Sequence, residues 1–429
     1  MKNNIIAIGQ GGGPTSVIND QVAGALYMAK KYKLKIYGLV NGMEGLLNMH
    51  VPGNIIDITH WDPKHVRQRP GAVLGTTRIK LDRIKDRDKI ITIKNNIVKL
   101  GIDNIVYFGG DDSSAVLHAL GIGVHGSKTV DNDLMWCHHT PGFGSAALFN
   151  AIAIKNLALD IGSYSLRGNI NNKDYYIAPV TVYQVMGRET GWLTLASAFA
   201  KVDKNGIINP KLPPDIIWPA ETDFDKELYL NTLEDILIKK GQAVVVVSEG
   251  LSQTIDGKRV PIAKVNRKDP NGHLEYGRVG LSAAEYVATV SREIVIKDVA
   301  ISSVNIKETA ITPQHIQRCY VKSKIDSIEA YNVGKETVKA ILDKDDQVSI
   351  VLKKYKNKIK TARVPLLRIA GKTRYLPEKY RQSISEPSQE FIDEYLRTIG
   401  GPKVLPHYDD IDYSKHMVGL RCYGPGMWC

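Results

Sequence analysis

The chain has 429 residues, of which 43% are hydrophobic and 24% charged, and a formal net charge of +12. These proportions suit a globular protein with a large core in one or two domains, and no internal repeat or low-complexity tract is present. The longest apolar runs are far too short to span a membrane and the N-terminus lacks a signal-peptide pattern, so a cytoplasmic enzyme is expected.

The positive balance would suit nucleic acid, a membrane surface or small polyanions. No aromatic-interleaved basic stretch, helix-turn-helix or RNP-like pattern accompanies it, which leaves phosphorylated substrates as the favoured class. Cys137, Cys319, Cys422 and Cys429 form no CxxC spacing and read as reduced, structural thiols. "CHHT" (137–140) reads as structural rather than as a metal site.

In chain order, the first apolar run is "NIIAIG" (4–9), which leads into Gly11–Gly13 and a helical pattern, "SVINDQVAGALYMAKKY" (16–32). Strand-like runs recur at "LKIYGLV" (34–40), "NIVYFGG" (104–110), "YYIAPVTVYQVMG" (175–187) and "AVVVVSEG" (243–250). Near-continuous β-branched runs predict strands buried on both faces, and their alternation with helices predicts parallel, helix-covered sheets. Ligands bind such sheets at the carboxyl ends of the strands, where the glycine- and aspartate-rich segments of this chain lie. "LKKYKNKIK" (352–360) is expected to be solvated surface.

Bare amides at Gly11–Gly13 before a helix suit phosphate, although a tight turn without ligand would look the same, and neither Walker A nor GxGxxG is present. "GGDDS" (109–113) adds two carboxylates and two glycines, Gly109 and Gly110, which are expected to let phosphate oxygens approach the backbone. A carboxylate facing phosphate needs a cation between them, so Asp111 is a candidate ligand for Mg2+. The alternative is an Asx-type turn with Asp112 or Ser113 as helix cap. In "VDND" (130–133), read as extended, Asp131 and Asp133 face one side. One of them can take a proton from a hydroxyl while the other helps to hold metal; the alternative is a solvated loop. Arg188 in "QVMGRETGW", Glu249 in "SEG", and His315 and Arg318 in "HIQR" close further apolar runs. Each suits a sugar phosphate, and each would also suit a surface salt bridge.

Together, "GGDDS", "KTVDND", "VMGR", "SEG" and "HIQR", in this order, resemble the phosphofructokinase family, with support from "TPGFGSAA" (140–147). The region containing "VPLLRIAGKTRYLPEKY" (364–380) looks like the long pyrophosphate-dependent branch. The resemblance implies two Rossmann-like α/β lobes: residues 1–141 for pyrophosphate and metal, 142–310 for the sugar phosphate, and 311–429 packing back on both. It implies that Gly12, Gly13 and Arg78 contact the donor, that Asp111 binds Mg2+, and that Thr129, Val130 and Asp131 meet the sugar. Asp131 would be the base for the 1-hydroxyl. Met186, Gly187, Arg188 and Glu249 would hold fructose 6-phosphate, Arg188 also steadying the transferring group, with His315 and Arg318 on the 6-phosphate. A homodimer or homotetramer acting reversibly in glycolysis and gluconeogenesis is implied as well.

ATP-using relatives have glycine at the positions of Asp112 and Lys128. The resemblance implies that Asp112 projects where the α-phosphate of ATP would lie and that Lys128 neutralises the departing phosphate. Two like charges about 4 Å apart repel by roughly 4 kcal/mol at an effective dielectric near 20, or nearly three decades of affinity. Pyrophosphate escapes that repulsion and is the expected donor. Ser127 in place of a proline, the missing glycines after Arg318, and Thr309 where an arginine is usual (with Lys307 nearby) depart from the family pattern, while Asp326 keeps its spacing. Another sugar phosphate such as sedoheptulose 7-phosphate, or a non-catalytic regulatory subunit, is the alternative. The intact Asp111, Asp131 and Arg188 weigh against the latter.

Overall fold

The computed structural model describes residues 3–170, 173–263, 281–294, 303–384 and 386–408, so Cys422 and Cys429 lie outside the described residues. The chain divides into two compact units, one drawn from 1–146 and 315–374, the other from 147–269, 273–314 and 375–429.

The first unit opens with β1 (Ile5–Gln10), β2 (Lys35–Leu39), β3 (Ile55–Asp57), β4 (Asn104–Gly109) and β5 (Val124–Ser127). The second carries β6 (Leu166–Ile170), β7 (Lys173–Val185), β8 (Ile216–Trp218), β9 (Ala243–Ser248), β10 (Ser252–Ile255), β11 (Lys258–Pro261) and β12 (Ser303–Ile311). The hairpin β13 (Val348–Tyr355) and β14 (Lys358–Pro365) returns to the first unit. Helices α1 (Ile18–Lys31), α2 (Gly42–Leu47), α3 (Pro63–Gln68), α4 (Arg87–Lys99) and α5 (Asp111–Leu120) lie between the early strands, and α6 (Phe143–Gly162) follows β5. Then come α7 (Trp192–Ala196), α8 (Lys226–Lys240), α9 (Ala283–Ser291), α10 (Lys324–Leu342) and α11 (Gln389–Tyr395).

In the first unit the strands are ordered β14-β13-β5-β4-β1-β2-β3. The five inner strands are parallel, as the sequence predicts, and only the outer pairs β13–β14 and β2–β3 are antiparallel. The apolar runs of β1 and β4 are buried on both faces because helices cover both. Ile6, Ile8, Val106 and Phe108 meet α1 and α10 on one side, whereas Ala7, Ile105 and Tyr107 meet α4 and α5 on the other. Helices α1 and α10 approach until Gly24 faces the Tyr331 carbonyl and Gly334 the Gln21 carbonyl, contacts that leave no room for a Cβ. "LKKYKNKIK" forms the turn end of the β13–β14 hairpin, and its exposed lysines charge an otherwise open sheet edge.

The second unit has parallel strands in the order β12-β7-β9-β8, with β6 antiparallel to β7. Strand β9 is buried along its whole length. Its core includes Tyr229, Leu233 and Leu237 of α8 and Ala283, Ala284 and Val287 of α9. Helix α11 is held by rings, Phe391 stacked on Phe199 with centroids 5.6 Å apart and Tyr395 edge-on to Trp192.

Asp326, in the first turn of α10 and 1% exposed, anchors the start of α6. It accepts from the amides of Gly142 and Ser145, each at 2.9 Å, and from the Ser145 hydroxyl at 2.6 Å. Burial outweighs these donors and lifts the carboxyl to about 6. Folding therefore takes up a proton there between the ordinary carboxyl value near 4 and about 6. This contribution to stability is complete below that window and is lost as pH rises through it. We expect Asp326→Asn to lose this term, so that mutant minus wild-type unfolding free energy rises by about 2 kcal/mol from pH 4 to pH 6. Urea titrations across that range, in which a flat difference would contradict the assignment, test this.

Candidate active site

Strands β5, β4 and β1 are neighbours, and their carboxyl ends lie level, with Gly109 opposite Ser127 and Gln10 opposite Phe108. The chain leaves these three ends as the glycine loop, the "GGDD" turn and the "KTVDND" loop. The Gly11 amide donates to the Phe108 carbonyl at 2.8 Å and the Lys128 amide to the Gly109 carbonyl at 2.9 Å. The Gly12 amide donates to the Thr77 carbonyl at 2.8 Å, which draws in the segment bearing Arg78. Below them the His125 ring bridges the Gly109 carbonyl and the Ser349 hydroxyl at 2.9 and 2.8 Å. Burial brings this imidazole down to about 4, so it is neutral. A carbonyl can only accept, which puts the proton on Nε2 and makes Nδ1 the acceptor from Ser349.

Lys128 is 2% exposed, and its Nζ donates to the Gly11 carbonyl at 2.9 Å and the Gly13 carbonyl at 2.7 Å. Burial, followed by the guanidinium of Arg318, brings the ammonium down to about 7, against the pull of Asp131 and Asp133; Arg78 adds to the lowering. Arg318 packs so closely on Gly13 that a Cβ there would lie 2.5 Å from its Nη1. The structure thus sets Arg318 beside the glycine loop, while His315 is exposed on the same 3-10 turn, Gln314–Arg318.

Helix α5 is capped by Gly110, not by Asp112 or Ser113, and both aspartates occupy its first turn. Gly109 does not open the backbone to a ligand as the sequence reading expects. Its α-carbon is covered by the Ser113 side chain, which packs α5 onto β4. Gly110 is the open position, where a Cβ would meet only the Lys128 carbonyl, at 3.9 Å. Asp112 lies 3.3 Å from the Lys80 ammonium, both side chains about half exposed. Solvent screens such a pair, so the full charge repulsion argued for Asp112 is reduced, and the space it fills matters as much as its charge.

The "VDND" segment is not extended, because Asn132 is left-handed with φ 56°. The turn nevertheless keeps its carboxylates together. Burial, then Asp131 and Asp111, push the Asp133 carboxyl well above the usual range. Sequence reasoning offered Asp133 only as one of two carboxylates sharing the proton-accepting and metal-holding roles, and its burial could not be read from the motif. Thr129 accepts from the Asp131 amide at 3.1 Å, and Val130 is buried. In the CHHT segment His139 is buried against Glu329 at 2.7 Å, and His138 meets His139 at 2.7 Å, contacts that suit a structural role. Among the described residues no three His, Cys, Asp or Glu side chains form a group able to hold a metal ion by themselves. A cation shared between one carboxylate and phosphate oxygens is the arrangement that Asp111 fits.

In the second unit, parallel neighbours β7 and β9 end level, Val185 opposite Ser248. Their exits bring Gly187 and Glu249 together, the Gly187 amide donating to Glu249 Oε1 at 3.3 Å and the Ser248 hydroxyl to the Gly187 carbonyl. Met186 is half-buried and Arg188 exposed on the same turn.

The sequence profile described as Phosphofructokinase matches residues 5–341. The chain belongs to the phosphofructokinase family. It is 29% identical over 415 residues to the pyrophosphate--fructose 6-phosphate 1-phosphotransferase of Rhodospirillum rubrum, covering 92% of this chain and 94% of that one. A sulfofructose kinase of Alkalicoccus urumqiensis is 27% identical over 409 residues, covering 90% and 95%. The pyrophosphate-dependent phosphofructokinase structure from Nitrosospira multiformis shares the fold, with TM-score 0.74, 23% identity and coverage of 95% and 94%.

Lys128 generates a pH signature. Its ammonium is charged below about 7 and neutral above. We expect wild-type affinity for pyrophosphate, by calorimetry, to fall about tenfold between pH 6 and 8. Lys128→Met should bind weakly and without that slope; equal slopes in the two proteins would contradict the assignment.

Proposed function

We propose that this protein transfers a phosphoryl group from pyrophosphate to the 1-hydroxyl of fructose 6-phosphate, giving fructose 1,6-bisphosphate and phosphate. One observation carries the donor choice: the phosphate-facing turn has a second carboxylate, Asp112, in the first turn of α5, next to a loop tied by Lys128. The names of the relatives from Rhodospirillum rubrum and Xanthomonas campestris support the same reading.

Gly12, Gly13 and Arg78 hold the donor, with Lys128 countering the phosphate that leaves. Arg318, beside Gly13, belongs to the same cationic set and reaches the 6-phosphate together with His315. Asp111 holds the divalent cation of this chemistry, taken to be Mg2+, which would neutralise phosphate charge. Asp131 accepts the proton of the 1-hydroxyl, with Thr129 and Val130 shaping its approach, while Met186, Gly187, Arg188 and Glu249 bind the sugar. Catalysis here is positioning and charge neutralisation more than covalent work. Pyrophosphate and a phosphate ester have comparable transfer potential, so the reaction runs both ways in a cytoplasmic homo-oligomer. Among the described residues no helix is long and apolar enough to cross a membrane.

Steady-state turnover with fructose 6-phosphate tests this reading directly. Pyrophosphate should support turnover with kcat/KM at least about a hundredfold above ATP, and Asp131→Asn should lower kcat by about 10²–10⁴ with little change in KM. Faster turnover with ATP would overturn the donor choice, and near-normal Asp131→Asn would remove the base. Sedoheptulose 7-phosphate as acceptor in parallel, compared by kcat/KM, separates the sugar choices.

A further inference from the structure

The family match ends at residue 341, yet the base-bearing loop is held from beyond it. Strand β13 lies parallel to β5, the strand from which that loop departs. Its Leu352 carbonyl accepts from the His138 amide at 2.7 Å. Val351, Val364 and Ile369 form one apolar cluster with Leu134 and Cys137 of the loop. The segment then ends on Arg374, whose amide donates to the Asp133 carbonyl at 2.7 Å beside a Leu134–Thr373 bridge.

The guanidinium of Arg374 completes the contact. Its Nε and Nη2 donate to the Asn132 carbonyl at 3.2 and 2.6 Å. Its Nη1 donates to the His138 carbonyl at 3.0 Å and also to that of Cys137. Three loop carbonyls, all within seven residues of Asp131, thus converge on one planar fork. The Asn132 peptide, which separates Asp131 from Asp133, is the one gripped twice, and it is also the left-handed residue. An unsupported loop of this kind would sample conformers that carry the Asp131 carboxylate away from a bound hydroxyl, and small displacements of a base are expensive in rate.

We propose that Arg374, supplied by the segment beyond the family match, is a positioning residue that fixes the Asp131–Asp133 turn for proton abstraction. This rests on the proposed role of Asp131 as base. A lysine has one compact ammonium and cannot span the three carbonyls, so the fork itself is required.

The test uses the full chain, with Arg374→Ala and Arg374→Lys, and two readouts. In hydrogen exchange by mass spectrometry, peptides covering 129–140 should exchange at least about tenfold faster in both variants, with the rest of the unit little changed. In pyrophosphate-dependent kinetics, kcat should fall by about tenfold or more while both KM values stay within about threefold, and guanidinium ion at tens of millimolar, but not methylammonium, should restore part of it in Arg374→Ala. Unchanged exchange in the loop, or an unchanged kcat in either folded variant, would overturn the proposal. An inactive wild type would instead count against the reaction, while the exchange experiment would still decide the clamp. Arg374→Lys keeps the aliphatic stem and charge, so it serves if the alanine variant does not fold.

Discussion

The ammonium of Lys128, carried past the end of β5, donates to the carbonyls of Gly11 and Gly13 and so binds the loop after β1 to the loop after β5. The three parallel strands only bring their ends level; this bond gives the ends a common geometry. Burial has lowered the ammonium to about 7, which represents roughly 5 kcal/mol of disfavoured charge. An anion arriving at the loop offsets that cost. Under the proposed function, the bond that shapes the glycine loop would therefore also be a reserve of affinity for phosphate.

Charge balance around this bond explains the rest of the donor side. Arg318 and Arg78 add positive potential at Lys128, while burial, reinforced by the Asp131 and Asp111 carboxylates, raises Asp133. Opposed clusters of this kind suit a ligand with its own cation. The N-terminus of α5, an anion site in other contexts, here carries two carboxylates in its first turn. One of them faces Lys80, which screens it without removing it. Under the proposed function, phosphate would approach at the open Gly110, and Asp112 would stand against a longer chain of phosphates.

Much of this was legible in the sequence because the relevant residues are local. Runs such as "AVVVVS" become the buried β9, and "NIVYFG" becomes β4, since β-branched stretches bounded by glycine have few other uses. The motifs at strand ends were visible for the same reason. What could not be read depends on distance or on backbone detail. The bonds from Arg374 to Asn132 span 242 positions, and no short pattern announces them. The left-handed Asn132 spoils the alternation argument for "VDND", although the tolerance of asparagine for that region was a hint. The Lys80 partner of Asp112 and the Ser113 cover over Gly109 are matters of packing, which a linear sequence does not display.

Donor choice by Asp112 is the claim on which the functional account turns, and its most direct measurement is kcat/KM for ATP in Asp112→Gly. Freed of that side chain, the enzyme should gain about tenfold to a hundredfold with ATP and lose with pyrophosphate, the loss reflecting the broken Lys80 contact. If ATP remains as poor a donor as in the wild type while pyrophosphate use is unaffected, Asp112 does not set the choice.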